Sequence, residues 1–534
     1  MLNWRWQRVR WFRSLFAPGR TIRYKPRRTV RPWLEALENR WLPAPMTFTV
    51  TDTSDASANS LRAAITASNA NAPGAGMFNT IDFAIGSGVQ TISLLSALPA
   101  ITQPVDILGF TEGGAGYSGP PLVVLNGASA GSSSNGLDFA AGSNGSEVQG
   151  LVIQEFGKDG ILLTGTNDNL IVGNFVGTDI TGTAKLGNTT DGVGIFFGAT
   201  GNTVGGTASG AANVISGNGI NGVDIVSAGT SGNVVLGNRI GTDITGTAQL
   251  GNTLDGVSIV NGATGNTVGG TASGAANVIA FNAKGVVLSG TTSVQNSLLG
   301  NSIFGNTGPG IDLGNPPANH GQKAPLLTSL STTSSSTTVK GSLTSSPGTY
   351  RVEFFASPAS VPILQGKTFL GFANVTVPAG GTMAFTASGL AALPAGSLWT
   401  ATATNTSSGA LHGDTSAFSQ AASLTLVVSA SPSTIPFGSS QAIALTAQVL
   451  SGGTPVNRGV VTFTIVPAAG GAPIGTLRAA VSNGTAKAQF VIPAGTKPGS
   501  YKIVGVYHDS SGFFPDLTAT SGTDLAYGGN RRRW

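Results

Sequence analysis

The sequence predicts a nearly all-β chain, in which a right-handed parallel β-helix is followed by two β-sandwich domains. Residues 177–215 recur at 241–279 with 34 of 39 positions identical. A fixed period in a stretch rich in Gly, Asn and Thr is typical of a solenoid, in which each unit buries its apolar face by stacking on its neighbour. The 78 glycines and the charged fraction of only 10% also favour short strands and tight turns over amphipathic helices.

The chain of 534 residues is long enough for several domains. Its composition changes at a Ser/Thr-rich segment, residues 329–338, after which longer stretches alternate between apolar and polar residues. We therefore predict a basic leader with an export-like motif (1–45), a β-helix with a short capping helix at 60–70 (46–321), a β-sandwich (322–422), an Ig-like domain (423–525) and a basic tail (526–534).

The net charge of +5 is concentrated at the two ends of the chain. Residues 1–40 contain eleven Arg or Lys against two Glu, and residues 531–533 are three Arg, so the segment between them is acidic. Nucleic-acid binding requires a basic face on a folded domain, and we expect no nucleic-acid partner. Cysteine is absent, which excludes disulfides and thiolate chemistry. The sequence contains no run of 18 apolar residues, and we therefore predict no transmembrane helix.

The leader is basic and aromatic, but it lacks the apolar core of an ordinary secretory signal peptide. Its last part, RPWLEALENRWLPA (Arg31–Ala44), resembles a short export-associated segment near the N-terminus of large planctomycete surface proteins. This resemblance implies an extracellular or cell-surface location. A run of Leu, Glu and Arg also occurs in ordinary short amphipathic helices, so the resemblance is not specific to export. The alternative is a disordered basic leader without an export function.

Two short phrases alternate between residues 150 and 314, N-x-x-x-x-N and G-[IV]-x-[IL]. Alternating Val, Ile and Leu supply one inward face at the period of a strand, and Gly or Asn supplies the corner between strands. The 64-residue offset predicts three coils of about 21 residues each. Asn residues at equivalent corners of stacked coils can form hydrogen-bonded ladders. We assign to such turns Asn174, Asn188, Asn202, Asn213, Asn218, Asn238, Asn252, Asn266, Asn277 and Asn282.

A helix is predicted at residues 60–70, where Leu61, Ala64, Ile65 and Ser68 fall on one stripe. A solenoid needs its open end covered, and this helix is suited to that role. The segment resembles the CSLREA motif at the start of many bacterial right-handed parallel β-helix proteins, with other residues in place of the motif's Cys and Glu.

The repeat units themselves, IGTDITGTA and NTVGGTASGAANVISGN, are similar to those of β-helix proteins found in bacterial surface and secreted chains. The segment from Leu424 to Ala519 resembles a bacterial Ig-like repeat, with Gly459–Phe463 and Tyr507–Asp509 in its characteristic places. These resemblances imply a surface protein whose C-terminal modules act as spacers.

The phrase N-T-[TL]-D-G, at 188–192 and 252–256, is similar to the N-T-D-G motif of β-helix polygalacturonases, with one residue inserted. That family also has an Asp-Asp pair, a Gly-His-Gly and an Arg-Ile-Lys, because inverting hydrolysis uses one carboxyl as acid and another as base. The chain has no Asp-Asp or Gly-His-Gly, and Arg239-Ile240 is followed by Gly241. We therefore name no catalytic residue.

Four aspartates, Asp179, Asp191, Asp243 and Asp255, occupy equivalent positions in the two copies of the repeat. A catalytic centre is usually unique, so duplicated residues are more simply turn formers that bond their own backbone. They are also our candidate binding residues, if they face loops on one side of the helix. Calcium could bind there, but the nonapeptide of Ca²⁺-binding β-rolls is absent, and we predict neither a metal site nor a cofactor.

The sequence thus predicts an exported, non-enzymatic surface protein that recognises a polysaccharide or cell-surface glycan. The alternative is a polysaccharide lyase or glycoside hydrolase of the pectin-lyase-like class. A cluster of carboxylates with Arg or Lys along one helix face would favour the enzyme. Regular Asn and Thr ladders without such a cluster would favour binding.

Overall fold

The computed structural model describes residues 44–528, except 359–364, 395–396, 408–412, 420–423, 452–453, 457–458, 510–513 and 515. The leader up to residue 43, with nearly all of its export-like motif, lies outside the described residues, as do His412 and the Arg tail. About 45% of the chain is strand and 4% is helix, which confirms the all-β prediction. None of the described helices is long and apolar enough to cross a membrane.

Residues 47–312 form a parallel β-helix with three sheets, and every complete coil contributes one strand to each sheet. Sheet 1 contains β1 (Thr47–Val50), β2 (Asn79–Phe83), β4 (Val105–Leu108), β7 (Glu147–Gln149), β10 (Leu170–Val172), β13 (Thr203–Gly205), β16 (Val234–Leu236), β19 (Thr267–Gly269) and β22 (Ser297–Leu299). Sheet 2 contains β3 (Gln90–Ser93), β5 (Val123–Asn126), β8 (Leu151–Gln154), β11 (Phe175–Val176), β14 (Val214–Ile215), β17 (Arg239–Ile240), β20 (Val278–Ala280) and β23 (Ser302–Phe304). Sheet 3 contains β6 (Leu137–Phe139), β9 (Ile161–Thr164), β12 (Val193–Phe196), β15 (Val223–Val226), β18 (Asp255–Val260), β21 (Lys284–Ser289) and β24 (Ile311–Asp312).

The sequence repeat spans two coils of the β-helix, so the prediction of three shorter coils is wrong. Leu170 pairs with Thr203 in the next coil, and Thr203 pairs with Val234 in the coil after it. Each coil is therefore about half as long as the repeat, because it carries a long loop as well as three strands. In one coil the long loop joins sheet 2 to sheet 3 (residues 177–192), and in the next it joins sheet 1 to sheet 2 (206–213).

The interior of the β-helix is a stack of aliphatic side chains. In sheet 1, Ile171, Val204, Val235 and Val268 follow one another in register, and all four are fully buried. This alternation of inward apolar and outward polar residues is what the strand period of two predicts.

Three ladders of buried Asn side chains run along the corners of the β-helix. In each ladder, the backbone N–H and the side-chain amide of one Asn donate to Oδ1 of the Asn in the next coil. The ladders are Asn169, Asn202, Asn233, Asn266, Asn296 and Asn319; Asn174, Asn213, Asn238, Asn277 and Asn301; and Asn188, Asn218, Asn252, Asn282 and Asn306. All ten Asn residues that we assigned to turns lie in these ladders, and none is more than 3% exposed.

The N-terminal end of the β-helix is covered by α1 (Leu61–Ala70), which begins at its N-cap, Ser60. The side chain of Ser60 accepts a hydrogen bond from the N–H of Ala63, which satisfies one of the free donors of the first turn. The four buried residues of α1 are the predicted stripe, and Leu61 and Ile65 pack into the interior of the β-helix.

Beyond the β-helix, the strands form sandwich-like pairs of sheets and are antiparallel, apart from one short parallel pairing of Thr434–Ile435 with Leu525–Tyr527. The first pair contains β25 (Leu326–Thr332), β26 (Ser336–Thr344) and β29 (Thr382–Ala391), with β27 (Gly348–Pro358), β28 (Thr368–Val377) and β30 (Ser397–Asn405). The second pair contains β31 (Leu424–Ser431), β33 (Ile443–Ser451), β34 (Thr454–Pro455) and β37 (Thr485–Phe490), with β32 (Thr434–Ile435), β35 (Val460–Pro467), β36 (Gly475–Ala480), β38 (Gly499–His508), β39 (Leu517–Thr520) and β40 (Leu525–Tyr527).

The first sandwich closes the C-terminal end of the β-helix. Gln365 continues one Asn ladder, because its side-chain oxygen accepts from the backbone and side-chain amides of Asn306 at 3.2 and 3.0 Å. Glu353, which is fully buried, accepts from the N–H of Gly300 at 2.9 Å. Phe355 and Phe418 belong to the interior cluster of the β-helix. The first sandwich is therefore packed on the helix, which differs from the separate spacer that the sequence suggested.

Replacement of Asn238 by Ala tests the contribution of a ladder. The side chain of Asn238 donates to Asn277 and to the carbonyl of Val204, and it accepts from both amides of Asn213. Because the substitution leaves several buried polar groups without partners, we expect a loss of about 2 to 4 kcal/mol in the free energy of unfolding. Urea denaturation followed by circular dichroism measures it. Thr207→Ala, at an exposed loop position, is the control and should leave the midpoint unchanged.

Truncation tests whether the first sandwich stabilises the β-helix. We expect a chain of residues 46–321 to unfold at least about 5 °C below a chain of residues 46–422, because it leaves the last coil's apolar residues and the Asn306 amide exposed. Differential scanning calorimetry of the two chains measures the difference. Equal melting temperatures would show that the sandwich does not act as a cap.

Candidate functional site

The outer face of sheet 3 brings together aspartates from consecutive coils. Asp159, Asp191 and Asn221 occupy the same position before their strands, as the backbone bonds from Gly160 to Asp191 and from Gly192 to Asn221 show. Asp224 lies on β15, in register with Gly194 of the preceding coil. We call Asp159, Asp191 and Asp224 the sheet-3 acidic cluster. Strand spacing places equivalent residues of neighbouring coils about 4.8 Å apart.

Hydrogen bonds hold two of these carboxylates against the backbone. Asp159 Oδ1 accepts from the hydroxyl of Thr190 and from the N–H of Asp191, the latter at 3.1 Å. Asp191 Oδ1 accepts from the N–H of Asn221 at 2.9 Å. Asp159 and Asp191 are only 6% exposed. The cluster is thus a fixed part of the coil stack.

Burial disfavours the charged form of these carboxyls. Burial, reinforced by the negative charge of Asp224, raises the pKa of Asp191 to about 7. Burial, together with the charges of Asp159 and Asp255, raises the pKa of Asp224 to about 6, although a hydrogen bond with Ser258 opposes the rise. Oδ1 of Asp224 is buried and has no hydrogen-bond partner. Near neutral pH, Asp191 is therefore partly protonated, whereas an ordinary aspartate is fully ionised.

In the second copy of the repeat, the equivalent aspartate has a cation beside it. Asp255 pairs in register with Lys284, and Lys284 Nζ lies 2.7 Å from Asp312 Oδ2. Burial raises the pKa of Asp255, while the charge of Lys284 lowers it. In the first copy, Asn221 stands where Lys284 stands in the second. Asp191 and Asp255 are thus equivalent in sequence but not in environment.

Asp179 and Asp243 have a different role from that of the other two candidate residues. Oδ1 of Asp179 accepts from the N–H groups of Thr183 and Ala184, both at 2.9 Å. Partial burial acts to raise the pKa of Asp179, but the hydrogen bonds from Thr181 and from this backbone outweigh it, so the pKa is lowered. Asp243 makes the same bonds to the loop of the second copy. Both residues close their own loops, as turn-forming aspartates do.

The two loops closed by these aspartates cover the outer face of sheet 2. Ile180 and Ile244 pack on an apolar cluster that includes Phe175 and Val214. The N–H of Ile244 donates to the carbonyl of Gly182 at 3.0 Å, so the two loops are stacked on each other. The GTDITGTA units are therefore covering elements, and the structure places them away from the acidic cluster, on another sheet.

Among the described residues, no group of three or more His, Asp or Glu side chains is arranged to hold a metal ion. His320 contacts Asp414 and His508 contacts Asp516, in two different parts of the chain. The calcium site considered from the sequence has no support in this geometry.

Sequence reasoning missed Asp159, Asp224 and Lys284. Their proximity depends on the length of the coil, which our prediction made too short. With two coils in each repeat, Asp159, Asp191 and Asp255 fall in one column across the coils. A sequence aligned on coils of that length would have shown this column of aspartates.

The architecture places the chain in the class of parallel β-helix proteins with C-terminal sandwich-like sheets. No protein-family model matches it, and a search of curated proteins finds no match. Among solved structures, ORF18 of Geobacillus virus E2 is similar at 12% identity over 70% of this chain and 76% of that chain, with a TM-score of 0.29. Full-length tailspike protein 2 from an Escherichia coli O157:H7 bacteriophage is similar at 11% identity over 90% of this chain and 68% of that chain, with a TM-score of 0.20. Similarities this weak do not bear on activity.

The raised pKa of Asp191 predicts how stability depends on pH. Because the folded state holds this proton more tightly than the unfolded state, the free energy of unfolding should decrease as pH rises from about 4 to about 7 and level off above that. Asp191→Asn keeps an acceptor for the Asn221 amide and removes the ionisation. Its melting temperature, measured from pH 4 to 8, should fall less steeply than that of the wild type. Parallel profiles would contradict the assignment.

Proposed function

We propose that the protein is exported and that its β-helix recognises a polysaccharide or cell-surface glycan on the outer face of sheet 3. The observation that carries this proposal is the sheet-3 acidic cluster, three carboxyl groups contributed by consecutive coils on one face. We keep the boundaries 46–321, 322–422 and 423–525 as part of the proposal, with the second sandwich as spacer. The export-like motif supports an extracellular or cell-surface location.

The regular spacing of the coils supports a polymer as the ligand. Outward-facing groups recur along sheet 3 at each coil, in a line across the strands. A linear chain of sugars offers hydroxyl groups along its length, and carboxylates accept hydrogen bonds from hydroxyls. Asp191 is the residue of the original four candidates that this geometry favours most.

The same acidic cluster, with Lys158 acting on Asp159, is the feature that we expect of an enzyme from the sequence, and it favours hydrolysis as a second candidate function. Asp191, with a pKa of about 7, can remain protonated near neutral pH beside carboxyls that are more readily ionised. Paired carboxyls with separated pKa values are what an acid and a base in glycoside hydrolysis require. The polygalacturonase motifs missing from the sequence argue against that particular enzyme, and binding without cleavage is the proposal that we prefer.

Binding of the full chain to an array of immobilised polysaccharides tests the proposal. We expect saturable binding that Asp191→Asn or Asp224→Asn weakens roughly tenfold, the equivalent of about 1.4 kcal/mol. Asp179→Asn, which changes a carboxylate on another sheet, is the matched control and should bind as the wild type does.

Product assays on the same polymers separate the two candidate functions. Release of new reducing ends that disappears in Asp191→Asn would replace recognition by hydrolysis. Absence of binding to every polymer, or equal loss of binding in the Asp179 control, would contradict a glycan site on sheet 3.

A further inference from the structure

The two copies of the repeat differ at only five of 39 positions, and four of these lie on or beside the outer face of sheet 3. The four pairs are Thr190 and Leu254, Gly194 and Ser258, Phe196 and Val260, and Phe197 and Asn261. The fifth pair, Lys185 and Gln249, lies in the covering loops. The loops, ladders and interior are otherwise the same in both copies, so the difference between them is concentrated on one surface.

The change from Gly194 to Ser258 and the change from Phe196 to Val260 compensate each other in size. An added Cβ at Gly194 would lie 2.9 Å from the ring of Phe196 and 3.0 Å from Oδ2 of Asp159. The Phe196 ring therefore rests over the Gly194 backbone, beside the acidic cluster. The second copy has Ser258 at the glycine position, and there the ring is replaced by the smaller side chain of Val260.

Phe197 is placed in a way that folding does not explain. Its φ is 54°, in the left-handed region, and 70% of the residue is exposed. The equivalent residue of the second copy, Asn261, has φ 56° and is of a type that tolerates this conformation. A Phe here costs about 1 kcal/mol or more in strain and buries little apolar surface in return.

The two rings form one surface. Phe196 and Phe197 contact edge to face, with centroids 6.2 Å apart and planes at 78°. We call this pair the aromatic platform. It stands beside carboxyls that can accept hydrogen bonds, which is the combination of an apolar surface and fixed polar groups found in ligand sites.

We propose that the aromatic platform is a sugar-stacking site present in the first copy of the repeat and absent from the second, and that its ligand is a pyranose polymer without acidic groups. This inference rests on the proposed function and names the residues and the ligand class of that same face. The C–H face of a pyranose packs on an aromatic ring, while its hydroxyls reach Oδ2 of Asp159 beside the Phe196 ring.

The size of the platform favours a sugar over a protein partner. A stable protein interface covers about 800 Å² on each partner, whereas the platform is one pair of rings bordered by Gly, Thr and Asp. Two adjacent rings match one or two sugar units.

The ionised carboxyls near the platform disfavour acidic polymers. Asp159, whose Oδ2 lies beside Gly194 and the Phe196 ring, is the carboxyl next to the platform, and the cation that acts on Asp159 is Lys158. In the second copy, the cation Lys284 lies near the equivalent face. In the first copy, Asn221 occupies that position. Polyuronates would meet like charge, while neutral or amino-bearing sugars would not.

The test compares variants of the full chain that exchange residues between the copies. Phe197→Asn, and the triple variant Gly194→Ser with Phe196→Val and Phe197→Asn, give the first copy the residues of the second at the platform. Asn261→Phe is the matched control. Binding to xyloglucan, partially deacetylated chitin and polygalacturonate is measured by isothermal titration calorimetry, and stability is measured by thermal melting.

We expect the wild type to bind at least one of the first two polymers more tightly than polygalacturonate. Phe197→Asn should weaken that binding at least tenfold while its melting temperature stays equal or rises, which separates a lost site from a damaged fold. Asn261→Phe should bind as the wild type does.

Three results would overturn the inference. If polymer binding depends on Asp191 but survives in the triple variant, the proposed function stands and the platform does not. If no polymer binds, both are wrong. If the platform variants instead abolish self-association in analytical ultracentrifugation, with no sugar bound, the rings form a protein contact.

Discussion

Hydrogen bonding between Asn side chains at the corners of the coils is the constraint on which the structure depends. Each corner bends the backbone away from its strands, and the polar groups left there are buried and must find partners. The ladders supply those partners from the next coil, so a coil is satisfied only within the stack. For this reason the helix ends need covers, and α1 at one end and Gln365 of the first sandwich at the other provide them.

The same constraint explains why the surface can vary while the scaffold does not. Interior aliphatic residues and ladder Asn residues are identical in the two copies of the repeat, because each contacts coils above and below. Residues on the outer face of sheet 3 belong to neither the interior stack nor the ladders, and four of the five differences between the copies lie on or beside this face. The raised pKa of Asp191 and the exposed ring of Phe197 are both unfavourable for stability, and both lie on this face.

Much of the fold could be predicted from the sequence, but of the acidic cluster only Asp191 could. Repetition, alternating Val and Ile, and the Asn spacing indicate a β-helix, and the stripe of α1 indicates its cap. The predicted coil length was wrong because the period of the repeat divides equally well into two or three coils, and only strand register decides between them. That error separated Asp159 and Asp224 from Asp191 in our reasoning. Long-range pairing, which brings these residues together, leaves no local pattern.

The central claim is that a glycan lies on the outer face of sheet 3 in the first copy of the repeat. A crystal structure of the full chain with an oligosaccharide fragment of the best-binding polymer tests it most directly. The account predicts a sugar ring stacked on Phe197, with hydroxyl groups bonded to Asp159 or Asp191. A sugar bound on sheet 2, on a sandwich, or equally at both copies would contradict it.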